Sequence, residues 1–333
     1  MYNIGIVGLG YTGLELIKLI LNHPQMNLTY LSASKEAVVE ETFPSLSGVF
    51  NFDIEVFDAS EVAKRCDLVF LALPHKVAME YAKELLKFDI KIVDLSADYR
   101  LKLENYEAFY TKHLDKESLK HAVYGLPELF RRDIKKARLI ANPGCYPTCS
   151  ILAIAPFLKY INLDNAIFID AKSGLSGAGK GLKESSHFVS VNENMNAYSP
   201  ITHRHSIEVS EKLTLLAGDT AKVLFIPHLV PLTRGMLVSA FVSLKEEIEP
   251  LEILREFYKD EEFIRVRDES VHIKNVAGTH FIDIYAKSDG LNLWINASID
   301  NLLRGASSQA LANANLMLGL DESLGLPKFA HGL

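Results

Sequence analysis

The first 144 residues alternate short apolar runs with segments in which apolar residues recur at helical spacing. In chain order these runs and segments lie at residues 4–7, 14–21, 27–32, 67–75, 77–86 and 91–96. Short continuous apolar runs are typical of strands that are buried on both faces of a parallel sheet. The alternation therefore predicts a doubly wound α/β domain over residues 1–144.

The pattern changes after residue 145. Strand-like runs now lie at residues 166–171, 222–226, 236–242, 281–285 and 291–297. Short turns such as 288–290 join several of them, which is typical of antiparallel or mixed sheets. We expect a second, α+β domain with a mixed or antiparallel sheet over residues 145–304. Ala and Leu at helical spacing over 305–318 predict a C-terminal helix, about 305–333, that returns to the first domain.

Composition and charge narrow the class of protein. The 333 residues suffice for two domains, and 48% hydrophobic with 23% charged residues is ordinary for a globular protein. A net charge of −7 without a basic block argues against nucleic acid as the main partner. Three cysteines fit a reducing compartment, and neither a signal peptide nor an apolar run of about 20 residues is visible. We expect a cytoplasmic protein without a membrane partner.

A Gly-x-Gly-x-x-Gly sequence joins the first predicted strand to the first predicted helix. Gly8 would make the turn, Gly10 would admit a pyrophosphate, and Gly13 would let the helix pack on the strand. With Tyr11 and Thr12 between them, these glycines predict a Rossmann-type dinucleotide-binding domain. The alternative is a plain tight turn.

The end of the second strand bears on which dinucleotide is bound. An NAD site usually has an acidic residue here, whereas this chain has Ser32, then Ser34 and Lys35, which suit a 2′-phosphate. NADP(H) is therefore favoured, although Glu36 complicates this and a solvated loop is the alternative. Pro74 and Ser96 follow two later strands and should face the same crevice.

Cys145 stands between a Pro-Gly turn and a predicted helix. A thiol just before a helix is stabilised as thiolate by the N-terminal N–H groups, so Cys145 is a candidate nucleophile. The alternative is a small, packed thiol. Cys149, one helical turn on, is expected to be a packed residue. A metal pair of the two cysteines is a poor alternative, because no second ligand pair has zinc spacing.

Two loops of the second half carry further candidate chemistry. Residues 173–180 are Gly-rich but lack P-loop spacing, and the loop could still wrap a phosphate or the nicotinamide. In the other loop, His203 and His205 flank Arg204, a combination suited to proton transfer and anion binding. As zinc ligands the histidines would point to opposite faces of a strand, and no third ligand is evident, so we expect no metal. Arg100 either pairs with Asp98 or holds an anionic substrate.

The chain resembles the N-acetyl-γ-glutamyl-phosphate reductase family, the arginine-biosynthesis members of the aspartate-semialdehyde dehydrogenase-like group. Matching motifs run in order over residues 8–16, 70–75, 94–100, 124–129, 142–148, 173–179, 192–205, 227–235 and 300–306. The chain departs from the family pattern after His205, where it keeps Glu208 but lacks the usual proline. It also has Arg304 where Lys is usual.

The resemblance implies a function and a set of roles. The reaction would be NADPH-dependent reduction of N-acetyl-γ-glutamyl phosphate to the semialdehyde through a Cys145 thioester, with His203 or His205 moving protons. It also implies a homodimer or homotetramer. The implied substrate contacts are Arg100, Tyr198, Arg204, Glu208 and Arg234, and the implied further cofactor contacts are Ser176, Gly177 and Asn301.

Several rival functions remain open at the level of the sequence. The nearest are reduction of a carrier-bound aminoadipyl phosphate in lysine biosynthesis and aspartate-semialdehyde dehydrogenase itself. A Cys/His hydrolase or acyltransferase would have no use for the glycine turn. A silent NADP(H) sensor would bind the dinucleotide without Cys145 reactivity.

Overall fold

The computed structural model describes residues 1–181 and 183–332. The chain divides into two compact units, one formed by Met1–Pro143 with Ala306–Leu326 and the other by Gly144–Gly305 with Pro327–Leu333. Among the described residues, no helix has both the length and the apolar character needed to cross a bilayer.

The first unit is built on an eight-stranded sheet in the order β3-β4-β2-β1-β5-β6-β8-β7. Its strands are β1 (Tyr2–Val7), β2 (Met26–Ala33), β3 (Ala37–Val38), β4 (Asp53–Val56), β5 (Leu68–Leu71), β6 (Lys91–Asp94), β7 (Val123–Tyr124) and β8 (Leu139–Ala141). Its helices up to residue 143 are α1 (Tyr11–Leu21), α2 (Val39–Thr42), α3 (Ala59–Arg65), α4 (Ala78–Leu85), α5 (Leu103–Phe109), α6 (Lys116–Leu119) and α7 (Pro127–Ile134). All strand pairs are parallel except β3 with β4, so the predicted α/β fold is confirmed.

Burial explains why these segments form a doubly wound sheet. All four residues of β5 are fully buried, and α1 buries Leu16, Ile17 and Ile20. Burying an aliphatic side chain of this size stabilises the fold by about 1.5–3 kcal/mol.

The second unit has a seven-stranded sheet in the order β10-β11-β9-β12-β15-β14-β13. Its elements are α8 (Cys145–Ile154), β9 (Ile167–Ser173), α9 (Phe188–Val191), β10 (Asn196–Ala197), α10 (Arg204–Ala217), β11 (Val223–Leu229), β12 (Met236–Ser243), α11 (Pro250–Phe257), β13 (Ile264–Val266), β14 (Ile282–Asp289) and β15 (Asn292–Ile299). Two pairs, β9 with β11 and β13 with β14, are parallel and the others are antiparallel, so the predicted mixed sheet is confirmed. The helix α8 is buried on all sides from Tyr146 onward, because its residues are almost all apolar or small.

Three local expectations need correction. His203 and His205 do not lie on a strand, since His203 is the N-cap of α10. The C-terminal helix is shorter than expected: a π-helix at Leu303–Ser307 leads into α12 (Ser308–Met317), which ends before Gly319 (φ +72°). Cys145 is the first residue of α8 rather than the residue before it.

Candidate active site

The glycine turn of the first unit fits a dinucleotide pyrophosphate. Gly8 has φ +99°, and a Cβ there would lie 2.4 Å from the carbonyl oxygen of Ala72. A Cβ on Gly13 would lie 2.3 Å from the Gly8 oxygen, whereas a Cβ on Gly10 would meet nothing within 4 Å. The N-cap Gly10 makes no side-chain cap bond and the first turn of α1 has no acidic residue. The N–H groups of this helix start therefore face an open, uncapped side suited to an anion.

The predicted 2′-phosphate contacts are accessible. Ser34 and Lys35 are exposed beyond the end of β2, as is Glu36, whereas Ser32 is fully buried. Pro74 is also exposed, in the loop after β5. An exposed cation at this strand end is available to a phosphate group.

The end of β6 carries a buried polar cluster that includes Ser96. The hydroxyl of Ser96 donates to Asp94 Oδ2 (2.7 Å) and its N–H donates to Asp94 Oδ1 (2.9 Å). Asp98 accepts from the N–H of Lys76 (2.8 Å) and from that of Met79 (3.1 Å). Burial, and next the charge of Asp98, raise the pKa of Asp94 to about 7 despite the bonds from Ser96. This cluster fixes the loop that follows β6.

Arg100 lies in the same cluster and is almost wholly buried. Its Nε donates to the carbonyl of Asn142 and its Nη2 donates to that of Leu95, both at 2.7 Å. The guanidinium thus ties the end of β6 to the end of β8. These main-chain bonds favour a structural role for Arg100 over contact with an anionic substrate.

In the second unit, Cys145 is the partly exposed residue at the start of an otherwise buried helix. A Cβ placed on Gly305 would lie 2.7 Å from Cys145 Cβ, so the glycine backs directly onto the thiol residue. Cys149 is fully buried, and burial raises the pKa of its thiol, with a smaller contribution from Cys145. The structure thus places Cys149 as the packed residue.

Aromatic and imidazole rings gather around Tyr146, the residue that follows Cys145. The ring of Tyr146 lies 5.8 Å from that of His203 and 5.9 Å from that of His205, and the two imidazoles are 4.9 Å apart. Tyr198 packs on His203 at 5.4 Å, and its hydroxyl donates to that of Tyr146 (3.3 Å). Four residues from two motifs, 142–148 and 192–205, therefore meet at Tyr146, the residue that follows the candidate nucleophile.

The two histidines differ in their surroundings. His203 Nδ1 accepts a hydrogen bond from the N–H of His205 (3.1 Å), which caps α10. Burial, helped by the charge of Arg204, lowers the pKa of His203 to about 4. His203 is therefore neutral at pH 7, with Nδ1 as acceptor and the proton on Nε2.

The remaining predicted substrate residues lie in different environments. Glu208 is 1% exposed and its Oε1 accepts from the N–H of Gly144 (3.0 Å). Arg204 is exposed at the start of α10. Arg234 is partly buried, with Nη1 3.4 Å from Oδ2 of the fully buried Asp300.

The three predicted cofactor residues of the second unit lie around one loop. Asn301 Nδ2 donates to Ser176 Oγ (2.9 Å), and Asn301 Oδ1 accepts from the N–H of Gly235 (2.7 Å). Gly177 is exposed at the tip of this loop. Among residues 1–181 and 183–332, no group of three or more His, Cys, Asp or Glu side chains could hold a metal ion.

Three residues of this region, Tyr146, Asp300 and Gly305, had no role predicted from the sequence, although all three stand in matching motifs. Tyr146 follows the candidate nucleophile directly, and that adjacency was the available signal. Asp300 and Gly305 act through contacts with residues far away in the chain. No local pattern marks such contacts.

The first unit has a glycine turn after the first strand of a parallel sheet. The second unit has a thiol at the start of a buried helix and two imidazoles near it. Together these features define a dinucleotide-dependent oxidoreductase of the semialdehyde dehydrogenase class. Family models support this class. Residues 3–137 match the model for "Semialdehyde dehydrogenase, NAD binding domain" and residues 145–301 match that for "Semialdehyde dehydrogenase, dimerisation domain". The cofactor is thus a nicotinamide dinucleotide.

Relatives place the chain more narrowly. A curated protein of Campylobacter hominis is named N-acetyl-gamma-glutamyl-phosphate reductase. It is 63% identical over an alignment of 335 positions that covers 100% of this chain and 100% of that protein. A protein of the same name from Wolinella succinogenes is 59% identical over 98% of each chain. The chain belongs to the N-acetyl-γ-glutamyl-phosphate reductase family.

Solved structures with low sequence identity share the fold. Aspartate semialdehyde dehydrogenase II from Vibrio cholerae, complexed with ASA, superposes with a TM-score of 0.74 at 14% identity, over 96% of this chain and 98% of that one. Aspartate semialdehyde dehydrogenase with NADP from Candida albicans gives 0.70 at 13% identity, over 96% and 98%. These two likenesses extend over nearly the whole chain and concern the fold alone.

Proposed function

We propose that the protein reduces N-acetyl-γ-glutamyl phosphate to N-acetyl-L-glutamate 5-semialdehyde, with release of phosphate and with NADPH as the cofactor, in arginine biosynthesis. The observation that carries the proposal is the placement of Cys145, a partly exposed thiol at the first residue of α8, directly before Tyr146, whose ring contacts two imidazoles. The names of the relatives support the choice of acyl phosphate.

Cys145 is the nucleophile in this proposal. Its thiolate attacks the acyl carbon, a C–S bond forms, and the C–O bond to phosphate breaks to release inorganic phosphate. The N-terminal N–H groups of α8 point at the developing oxyanion and stabilise it together with the thiolate. The cofactor, when bound, supplies the hydride that reduces the resulting thioester.

His205 moves the proton in the second half of the reaction. When the C–S bond breaks, the aldehyde forms and Cys145 must recover a proton or be held as thiolate by a nearby imidazolium. His203 is poorly suited, because its Nδ1 caps α10 and its pKa is lowered to about 4. His205 packs on Tyr146, next to Cys145, and we assign the proton transfer to it.

Arginines hold the anionic groups of the substrate. Arg204 is exposed, and Arg234 is oriented by Asp300, so each can offer a guanidinium fork to the carboxylate or the phosphate. The ring of Tyr198 packs on that of His203, and we propose that Tyr198 also contacts the substrate. Arg100 is assigned instead to fixing the ends of β6 and β8.

NADP(H) is the proposed form of the dinucleotide. In the first unit the pyrophosphate would lie on the turn of Gly8, Gly10 and Gly13 with Tyr11 and Thr12, and the 2′-phosphate against Ser34 and Lys35. The further contacts in this proposal are Pro74, Ser96, Ser176, Gly177 and Asn301.

A homodimer is the proposed assembly, formed through the outer face of the second sheet. Phe168 on β9 and Phe241 on β12 are register partners and are 53% and 51% exposed. Adjacent exposed aromatic rings on a sheet are costly to leave in water. The description of the model that matches residues 145–301 as a dimerisation domain supports a dimer formed by this unit.

The test is phosphate-dependent reduction of NADP⁺ by the purified protein. N-acetylglutamate semialdehyde and aspartate semialdehyde are compared as substrates, and NAD⁺ is compared with NADP⁺. Turnover with the acetylated aldehyde and NADP⁺ is expected. Turnover with aspartate semialdehyde alone would assign the sister activity instead, and binding of NADP⁺ without any turnover would favour a carrier-bound substrate.

A further inference from the structure

The side chain of Glu208 is buried against the main chain that leads into the nucleophile. It projects from α10, is 1% exposed, and its Oε1 accepts from the N–H of Gly144 at 3.0 Å. Gly144 is the N-cap of α8 and the residue directly before Cys145. A side chain so enclosed has little surface to offer to a substrate.

Both polar groups of Gly144 are fixed. Its carbonyl accepts from the N–H of Thr148 (2.9 Å) and from the Thr148 hydroxyl (3.0 Å), while its N–H is held by Glu208. Gly144 has no side chain that could cap α8. Its N–H donates to the carboxylate of Glu208 from α10. The peptide that carries Cys145 is thus fixed from two sides.

The same face of α10 carries the proposed proton carrier. Glu208 lies three residues after His205, and residues three apart are neighbours on a helix surface. One helix face therefore holds the imidazole and, one turn on, the carboxylate bonded to the residue before the thiol.

We propose that Glu208 is a positioning residue that sets the geometry between the Cys145 thiol and the His205 imidazole, and is not a substrate ligand. This inference rests on the proposed function for the roles of Cys145 and His205. The bond from the Gly144 N–H to a side-chain oxygen of Glu208 fixes the residue directly before the thiol, which suits a bond that must hold a reacting pair in place.

The experiment compares Glu208→Ala with Glu208→Gln, which keeps an oxygen acceptor for Gly144. The control is Glu211→Ala: Glu211 is also nearly buried on α10, but its Oε1 accepts from Lys212 Nζ (2.8 Å). In Glu208→Ala we expect kcat to fall about a hundredfold with KM for the aldehyde changed less than about threefold, because a misplacement of about 1 Å costs this much. Glu208→Gln should stay within about threefold of wild type in both constants, as should Glu211→Ala.

A double-variant cycle tests whether Glu208 acts through His205. In a His205→Asn background, Glu208→Ala should cost less than about threefold in kcat, because the geometry it sets is no longer used. A full hundredfold loss in that background would overturn the inference. So would a tenfold rise of KM with unchanged kcat in Glu208→Gln, which would make Glu208 a substrate ligand.

Alkylation of Cys145 by iodoacetamide needs no substrate and separates the two proposals. We expect the midpoint of the alkylation rate against pH to shift in Glu208→Ala and to match wild type in Glu211→Ala. If neither aldehyde is turned over by the wild type but this shift is found, the proposed substrate is wrong and the positioning role stands. A wild-type profile in folded Glu208→Ala would overturn the positioning role.

Discussion

At the scale of single residues, we propose different roles for the two histidines that flank Arg204, because their rings have different environments. The Nδ1 of His203 accepts a hydrogen bond from the main-chain N–H of His205 at the start of α10, and burial lowers the pKa of the His203 ring so that the ring is neutral. His205 follows on the first turn of α10 with its ring on Tyr146. We therefore propose that His203 serves the structure and that His205 carries the proton.

Substituting each histidine by Asn should separate these roles. Asn is a good N-cap, so His203→Asn should keep the fold and lose less than about tenfold in kcat. His205→Asn removes the proton carrier and should lose at least about a hundredfold. In NMR spectra, the His203 ring of the wild type should not titrate between about pH 5 and about pH 8, since its pKa lies near 4. Equal losses in both variants would contradict this assignment.

Gly305 offers a second test at this scale. A Cβ at this position would lie 2.7 Å from Cys145 Cβ, so Gly305→Ala must displace the thiol or the π-helix. We expect about a hundredfold loss of kcat and about 1–3 kcal/mol loss in the free energy of unfolding. The matched control is Gly181→Ala, where an added Cβ meets nothing within 4 Å. Wild-type kcat in folded Gly305→Ala would refute the close packing.

At the scale of elements, the end of β6 is organised by buried carboxylates. Asp94 accepts bonds from the loop after β6 and Asp98 from the loop after β5, and Asp94 has a pKa raised to about 7 by burial and by Asp98. Because the folded-state pKa lies above that of the unfolded chain, the folded state binds the extra proton between about pH 4 and about pH 7. The stabilisation from this proton is complete below about pH 4 and is lost as the pH rises through about 7.

Asp94→Asn should remove this pH dependence. The free energy of unfolding of the wild type should fall relative to that of the variant, by up to about 4 kcal/mol, as the pH rises from about 4 to above 7. Urea unfolding of both proteins at several pH values measures this difference. The exposed Asp89→Asn serves as a control and should track the wild type. A constant difference between wild type and Asp94→Asn would count against a protonated Asp94.

The elements differ in how well the sequence predicted them. The long strands of both sheets are apolar, so their runs are visible in the sequence. The short strands β3, β4, β7, β8, β10 and β13 have two to four residues each and were not predicted. The helix α10 was missed because its buried face carries charged side chains, among them Glu208, Glu211 and Lys212. An apolar periodicity cannot reveal a helix that buries ion pairs and main-chain bonds.

The same division holds for the site. Cys145, the glycine turn and the His-x-His pair stand in local motifs, so their chemistry could be predicted. The bond from Asn301 to Ser176 spans 125 residues, and the contact of Glu208 with Gly144 spans 64. Such pairings depend on tertiary packing, and a single sequence taken alone does not show which distant residues will meet.

At the scale of the whole molecule, the candidate residues are divided between the two units. The first holds the glycine turn, and the second holds the thiol, the imidazoles and the sheet with its exposed aromatic face. The family models divide the chain in the same way, into an NAD binding part and a dimerisation part.

The dimer proposal makes a prediction at this scale. Phe168→Asp with Phe241→Asp places two charges at the centre of the proposed contact face, and we expect light scattering to show the mass of a monomer. Phe257→Asp on α11, a comparably exposed phenylalanine away from this face, should leave the dimer intact. A dimer that persists in the double variant would place the interface elsewhere.

The central claim is that Cys145 carries the acyl group. The most direct test is to mix the protein with N-acetylglutamate semialdehyde and NADP⁺ without phosphate, and to analyse it by mass spectrometry after acid quenching. Hydride transfer to NADP⁺ should leave one N-acetylglutamyl group as a thioester on the peptide that contains Cys145, with one equivalent of NADPH formed. The Cys145→Ser variant should carry no such group. An acyl group on another residue, or equal NADPH formation by folded Cys145→Ser, would contradict the account.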